Sequence, residues 1–379
     1  MKMSRVEAWD LELPYPVESR AAWSPHIAHK SRAVTFLRVE TDAGIVGYGA
    51  SGRHEADTIN RRAAPSLVGR DPMELERHAE IIRAAGRVWL VDMALCDIVG
   101  KAAGLPLHRL WGYCQSRVPA YASTIGAGTP EKRAEDALAY LEQGFKAIKL
   151  RTHCQTIEED IRLVEAVRDA VGDRMVIMVD ANQAGPAVGD RMPVFDESRA
   201  VHWDFGRALA TARELEQLGV YWLEEPLPRY QFDQLARLCD SVDINIAGGE
   251  GNQGLHEFHW MLRDGVYDIL QPDCSMSEGL SKLRKVAFAA ELAGKQFIPH
   301  HGNSGLGLAA HLQLCSGLRN CKYVEFVLDP PSHTIENHQQ LCGIVKTPIT
   351  IDKDGCVPVP TLPGLGVEVD EGLIGKHVV

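Results

Sequence analysis

The chain has 379 residues, of which 45% are apolar and 24% charged, with a formal net charge of -11. That length exceeds one compact core of ordinary size but fits a barrel of about 250 residues with a smaller companion domain. The composition is that of a globular protein without low-complexity tracts, and the acidic balance, with no basic patch, argues against nucleic acid as a partner.

The chain start, Met1 to Arg5, runs into a polar amphipathic segment with Asp10 and Glu12. This is not the apolar core of a signal peptide, and no run is long enough to cross a bilayer, so neither export nor membrane insertion is expected. Nine cysteines lie scattered without CxxC pairs. An odd, unspaced set reads as reduced thiols of a cytoplasmic protein and speaks against a cysteine zinc site.

Residues 33–49 alternate apolar and polar around a turn at Asp42-Ala43-Gly44, which predicts a β-hairpin. From Pro72 to about Gly104 the spacing becomes helical, with Leu75, Ile81, Ile82, Leu90, Met93 and Leu95 as apolar positions. Residues 1–117 thus read as an α+β domain. After Val118 short apolar strands alternate with amphipathic helices, at 118–123, 146–150, 175–180, 220–225, 244–250, 267–273, 296–300 and 322–326, with helices such as 158–170, 207–218 and 278–293 between them. Eight such units predict an α/β fold, a parallel (β/α) barrel over 118–334. From about 335 to 379 the chain returns to strand-like, Pro- and Gly-rich text that could pack back on the first domain. Between the third strand and its helix, 183–203 shows neither period. A connection of that length is usually functional, and this one would overhang the strands' carboxyl ends; an oligomer contact is the plainer alternative.

Those carboxyl ends carry the chemistry. Asp180 closes the third strand, Glu224 and Glu225 the fourth, and Glu250 the fifth. Converging carboxylates repel and raise one another's pKa, a conflict that a hard divalent cation resolves, and an all-oxygen donor set suits Mg²⁺ better than zinc or copper. The second strand ends Lys149-Leu150-Arg151, so period two puts both cations on one side, facing the metal region. Asp273 ends the sixth strand and His300 the seventh, where the acid can orient the imidazole, and Glu325 ends the eighth. A metal, a flanking cation pair and an acid-supported histidine are what removal of a proton α to a carboxylate requires. Any one strand-end acid could instead be a helix cap; His301, His153, His202, His256 and His259 read as loop or surface residues. Gly305 to Ala310 matches GxGxxA, with Glu325 twenty residues on, but lies on the seventh unit of the repeat without a second nucleotide-binding half. A helix N-terminus holding a substrate carboxylate or hydroxyl is the more economical reading.

In this order, AIKLR, VDANQ, WLEEPL, AGGE, LQPD and IPHHGNSG resemble the enolase superfamily, specifically its mandelate racemase subgroup, over nearly the whole chain. The resemblance implies a modified TIM barrel with an N-terminal α+β capping domain completed by the tail. It implies that Asp180, Glu224 and Glu250 ligate Mg²⁺, Asn182 lies near the substrate, Glu225 supports the lysine, Asp273 and His300 form the Asp-His dyad, and Glu325 is the eighth-strand acid. Capping loops near residues 16–30, around His26, would select the substrate. The chain departs from the subgroup at Arg151, which replaces the second lysine of KxK; arginine is a poor general base. The expected activity is therefore dehydration of a sugar acid or related hydroxy acid, with a racemase, epimerase or cycloisomerase, or a non-catalytic binder on the same scaffold, as alternatives. A small carboxylate is the expected partner, and a homo-oligomer the expected assembly.

Overall fold

The computed structural model describes residues 1–185, 202–335 and 344–379. The chain opens with a three-stranded antiparallel sheet, β1 (Met3–Ser19), β2 (His29–Thr41) and β3 (Val46–Ser51), in that spatial order. Alternation decides both of its faces. Leu11, Leu13, Val34 and Phe36 face the core shared with the barrel, while Val6, Ala8, Leu37 and Val39 face the domain's own helices. The helical stretch expected from Pro72 to Gly104 is two helices, α1 (Leu75–Ala85) and α2 (Leu90–Ala102). The break falls where Gly86 and Arg87 both take positive φ, at 132° and 63°. α2 is apolar nearly all round because it is buried between the sheet and the barrel.

Eight parallel strands follow: β4 (Arg117–Ser123), β5 (Ala147–Arg151), β6 (Val176–Asp180), β7 (Trp222–Glu224), β8 (Asn245–Gly248), β9 (Ile269–Leu270), β10 (Gln296–Phe297) and β11 (Val324–Val327). They pair in the order β10-β9-β8-β7-β6-β5-β4-β11. The two ends of that ladder meet beyond β10, where the His301 N–H donates to Glu325 Oε2 at 3.1 Å. The architecture is a (β/α) barrel with an N-terminal capping domain. Helices α3 (Ile157–Val171), α4 (Phe205–Gln217), α5 (Leu280–Leu292) and α6 (Gly305–Cys315) lie where helical periodicity places them. A ninth strand, β12 (Cys356–Pro358), pairs antiparallel with the start of β4, and the chain end returns to β1 through the Leu11↔Val378 bridge.

The barrel interior is layered. Tyr121, Ala147, Met178, Trp222, Ala247, Ile269 and Ile298 form a buried apolar plug. Two residues further along six of those strands, the same inward face carries Ser123, Lys149, Asp180, Glu224, Gln271 and His300. The plug is thus the floor on which a polar site rests. Of the long connection at 183–203, residues 186–201 lie outside the described residues; its ends are joined by the Trp203 N–H donating to Gln183 Oε1 at 2.9 Å.

The GxGxxA segment begins α6, whose N-cap Ser304 accepts from the Gly307 N–H at 2.9 Å. Gly307 serves close packing: a Cβ there would collide with the Gly302 backbone, in the turn that follows His300 and His301. Gly307→Ala should therefore cost about 1–3 kcal/mol by overpacking. Urea denaturation checks this, and an unchanged midpoint would count against the close approach.

Candidate active site

The inward positions at the strand ends form one buried network. Lys149 Nζ lies 2.9 and 3.0 Å from the Glu224 oxygens, 2.9 Å from Glu325 Oε1 and 3.6 Å from Asp180 Oδ2. Trp222 Nε1 and Gln271 Nε2 both donate to Glu224 Oε2, at 3.1 and 3.0 Å. Arg151 pairs with Asp180, and donates through Nε to the Thr124 carbonyl at 2.7 Å, through Nη2 to Ser123 Oγ at 3.2 Å and through Nη1 to Asn182 Oδ1 at 3.2 Å. Across the site His300 holds Asp273 Oδ2 at 2.7 Å through Nδ1, while its Nε2 points to Glu250 Oε2 at 3.2 Å and Glu325 Oε2 at 4.0 Å. Glu325 thus stands between Lys149 and His300.

Asp273 is held from every side. Its Oδ2 also accepts from the Gly302 N–H and Asn303 Nδ2, each at 3.0 Å, and its Oδ1 from the Ser275 N–H and Oγ, each at 2.7 Å. His311, buried on α6, accepts the Cys274 N–H at 3.1 Å. Asp273, Cys274 and His311 bring three donor atoms within 4.8 Å. This group is the back wall of the dyad: the Asp273 oxygens are already occupied by donors, and burial pushes the Cys274 thiol well up.

The electrostatics follow from burial among like charges. Burial first, then Asp180, pushes Glu224 up to about 7. Burial and Glu250 push Glu225 well above the carboxylate range. For Lys149, burial pulls down, but Glu224, Glu325 and Asp180 outweigh it and keep the ammonium charged. Burial likewise opposes the charge on His300, yet Glu250, Glu325 and Asp273 raise it to about 10. Burial and the charge of His300 hold His301 well down.

The structure departs from expectation at three residues, Glu225, His26 and His153. Lys149 is not supported by Glu225. Period two turns consecutive Glu224 and Glu225 to opposite sides, and Glu225, at φ 46°, faces Arg229 Nη2 at 3.7 Å instead. Nor is His26 brought to the site: it is exposed, and among the described residues it pairs with none of the groups above. Its neighbour Trp23 is the one that reaches in, with Arg151 Cζ 4.9 Å from the ring centroid. Asn182, at φ 46°, accepts from both Arg151 and His153, the latter at 3.0 Å, so His153 belongs to the site's edge rather than the surface. His301 packs against His300 with ring centroids 4.1 Å apart and the rings tilted by 40°. Glu250 falls out of step with the inward positions of β8; Gly249, at φ 116°, re-aims the chain and lets it join them.

A divalent cation fits these residues. Asp180, Glu224 and Glu250 offer only hard oxygen donors, each turned onto a cationic group, and the strained ionisation of Glu224 is what a bound cation relieves. The buried Oε1 of neighbouring Glu225 makes no hydrogen bond.

The chain matches the "Enolase C-terminal domain-like" family model over residues 132–373, and the "Mandelate racemase / muconate lactonizing enzyme, N-terminal domain" model over 18–112. The chain belongs to the mandelate racemase/muconate lactonizing enzyme family of the enolase superfamily. It is 30% identical over 372 residues to an arabinonate dehydratase of Saccharolobus solfataricus, covering 93% of this chain and 92% of that one. It is 29% identical to a D-galactarolactone cycloisomerase of Agrobacterium fabrum, covering 98% and 97%. A racemase from Streptomyces coelicolor with bound magnesium superposes with a TM-score of 0.83 at 26% identity, over 100% of this chain and 100% of that one. Members of this superfamily use Mg²⁺, and these two relatives are a dehydratase and a cycloisomerase, so the chain is an enzyme. Among the described residues no helix is long and apolar enough to cross a membrane.

Two outcomes are expected. Ser277 Oγ accepts the Asp273 N–H at 3.1 Å and donates to the Glu250 carbonyl at 2.8 Å, tying the two sides of the site. Ser277→Ala should lower kcat on the order of ten- to a hundredfold through misplacement of these groups; steady-state kinetics with circular dichroism as a fold control reads it, and unaltered kcat refutes it. In metal-free protein, Glu224 is raised from 4.5 to about 7 and His300 from 6.5 to about 10. The folded state therefore holds both protons more tightly than the unfolded one. The stability they contribute is complete below about pH 4.5 for Glu224 and about pH 6.5 for His300, and is lost as pH rises through about 7 and about 10. Urea midpoints in EDTA should fall between pH 5 and 9, less so in Glu224→Gln between pH 5 and 7; a flat profile contradicts it.

Proposed function

We propose that this enzyme dehydrates a sugar acid or related hydroxy acid to a 2-keto acid, with Mg²⁺ held by Asp180, Glu224 and Glu250. The observation that carries the reading is the fixed state of Arg151. Its N–H groups go to Thr124, Ser123, Asp180 and Asn182, and Trp23 lies over it. A guanidinium so engaged neither gives up a proton nor swings to take one. Lys149, enclosed by three carboxylates, stays an ammonium. The flank that serves as the second base in a racemase is therefore cationic, and His300 is the remaining base, able to lose its proton once Glu250, the carboxylate that raises it most, is engaged elsewhere.

A cation held by Asp180, Glu224 and Glu250 would supply positive charge to the substrate carboxylate as the α-proton departs. The chain does the rest. Lys149 and Arg151 hold charge-assisted donors at the flank of the carboxylate, and Asn182 and Glu325 border it. Asp273 keeps the His300 Nδ1–H in place, so that once Glu250 is engaged elsewhere Nε2 is free to accept the α-proton. The same imidazolium returns that proton to the β-hydroxyl. The C–H and C–O bonds break, a carbon–carbon double bond forms, water leaves, and the resulting enol becomes the 2-keto acid.

The test is incubation of the Mg²⁺-loaded enzyme with aldonic and aldaric acids in D₂O, read by 2-keto acid formation and by deuterium in recovered substrate. A 2-keto acid from at least one acid is expected. Deuterium in recovered substrate without water loss would move the reading to an epimerase or cycloisomerase, and no reaction with any acid would overturn it. His300→Asn should lower turnover about 10²- to 10⁴-fold, the usual share of general acid–base catalysis.

A further inference from the structure

From the capping domain, β2 sends Arg32 across to the loop that carries the histidines. Its Nη2 donates to the Asn303 carbonyl at 2.8 Å and lies 3.4 Å from Asn303 Oδ1. Asn303 in turn binds Asp273, and Asp273 binds His300, so the guanidinium stands one side chain behind the dyad. Its charge reaches the site: after burial and His300, Arg32 is among the groups that hold the His301 imidazole neutral, and after burial it is the charge that holds His333 down. Tyr15 packs on His333 with ring centroids 5.2 Å apart, which makes this corner a meeting of cap and barrel.

Arg32 differs from the other arginines of the site in what it lacks. Arg151 pairs with Asp180, Arg229 with Glu225, and Arg133 with Asp329. Among the described residues no carboxylate pairs with Arg32; its hydrogen bonds go to Asn303, and its Nε is buried without a partner. That Nε–H is unspent, and the neighbouring His301 and His333 are held neutral, so neither imidazole competes for an anion. A partly buried guanidinium left with neutral acceptors has a desolvation cost that a carboxylate would offset, and its planar fork matches one.

We propose that Arg32 binds a second carboxylate at the far end of the substrate, so that the preferred substrates are aldaric diacids rather than aldonic monoacids. This rests on the sugar-acid reading above and narrows it. The primary carboxylate lies at the strand-end site, and the polyol chain runs toward the cap on the His300 side. Gly52, just after β3, lets Arg32 and Asn303 pack together at this corner: a Cβ would meet Asn303 Cβ at 3.0 Å and Arg32 Nη2 at 3.3 Å.

Binding separates this proposal from the chemistry. Calorimetric titration of the Mg²⁺-loaded protein with galactarate and with galactonate, which differ only in the terminal group, should show the diacid at least tenfold tighter. Arg32→Met should remove that preference by weakening galactarate tenfold or more while leaving galactonate within about twofold. Arg32→Lys, which keeps the charge and tolerates the same packing, should recover part of the preference. Equal binding of the two acids by the unaltered enzyme overturns the proposal, as does equal weakening of both in Arg32→Met, which would make the arginine a brace for Asn303. Diacid preference with no α-proton exchange in D₂O would leave this proposal standing and sink the dehydratase reading, whereas exchange without diacid preference would do the reverse.

Discussion

Seven charged groups, five of them buried and Glu250 and His300 half-buried, lie above one apolar plug and dominate this molecule: Asp180, Glu224, Glu250 and Glu325 against Lys149, Arg151 and His300. Each charge taken singly from water into that layer carries a desolvation cost of several kcal/mol. The layer is tolerable only because every acid has a cation within reach and the remaining lone pairs accept from Trp222, Gln271, Ser123 and Asn182. A barrel suits this well. Parallel strands tilted about a common axis bring their ends together, so charges far apart in the chain become neighbours with no loop needing to reach.

That geometry also explains which parts of the site could be read from the chain. Period two on a short strand fixes the side a residue faces, so Lys149 with Arg151, and Asp180 with Glu224, were legible as soon as the strands were. The dyad of Asp273 and His300 follows from the same parity, two residues beyond the inward positions of their strands. Glu225 was the cost of relying on a motif over that parity. As the residue after Glu224 it could not share its direction, and its positive φ carries it further toward Arg229. Glu250 breaks parity in the opposite sense, because Gly249 adopts a backbone geometry that rotates the next side chain inward.

What the capping domain contributes was harder to see. Trp23 and Arg32 reach the site from more than a hundred residues away in sequence, along segments whose own patterning reports only the cap. Choosing His26 by its chemistry missed Trp23, whose value is its flat apolar face rather than any titration. The single long helical stretch expected after Pro72 was legible as helix but not as two, since a lone Gly-Arg break leaves the apolar spacing nearly intact. In the barrel the opposite holds: β9 and β10 are each two residues long, shorter than their apolar runs, because the chain leaves the ladder early to carry Asp273 and His300 into the site.

Arg151 shows how one substitution alters both halves of such a site. A lysine there is a mobile point charge able to exchange a proton; an arginine is a planar fork that must be satisfied on several sides at once. Here those sides are β4 through Thr124 and Ser123, β6 through Asp180 and Asn182, and the cap through Trp23. The residue thus exchanges reactivity for connectivity. It binds the cap to one flank of the site much as Arg32 binds it to the other through Asn303. With both flanks held by arginines from or beneath the cap, placement of the cap and placement of the reacting groups become one structural problem. That is the arrangement expected where one base must both remove a proton and return it, because a single imidazole succeeds at both only if the substrate does not shift between the two transfers.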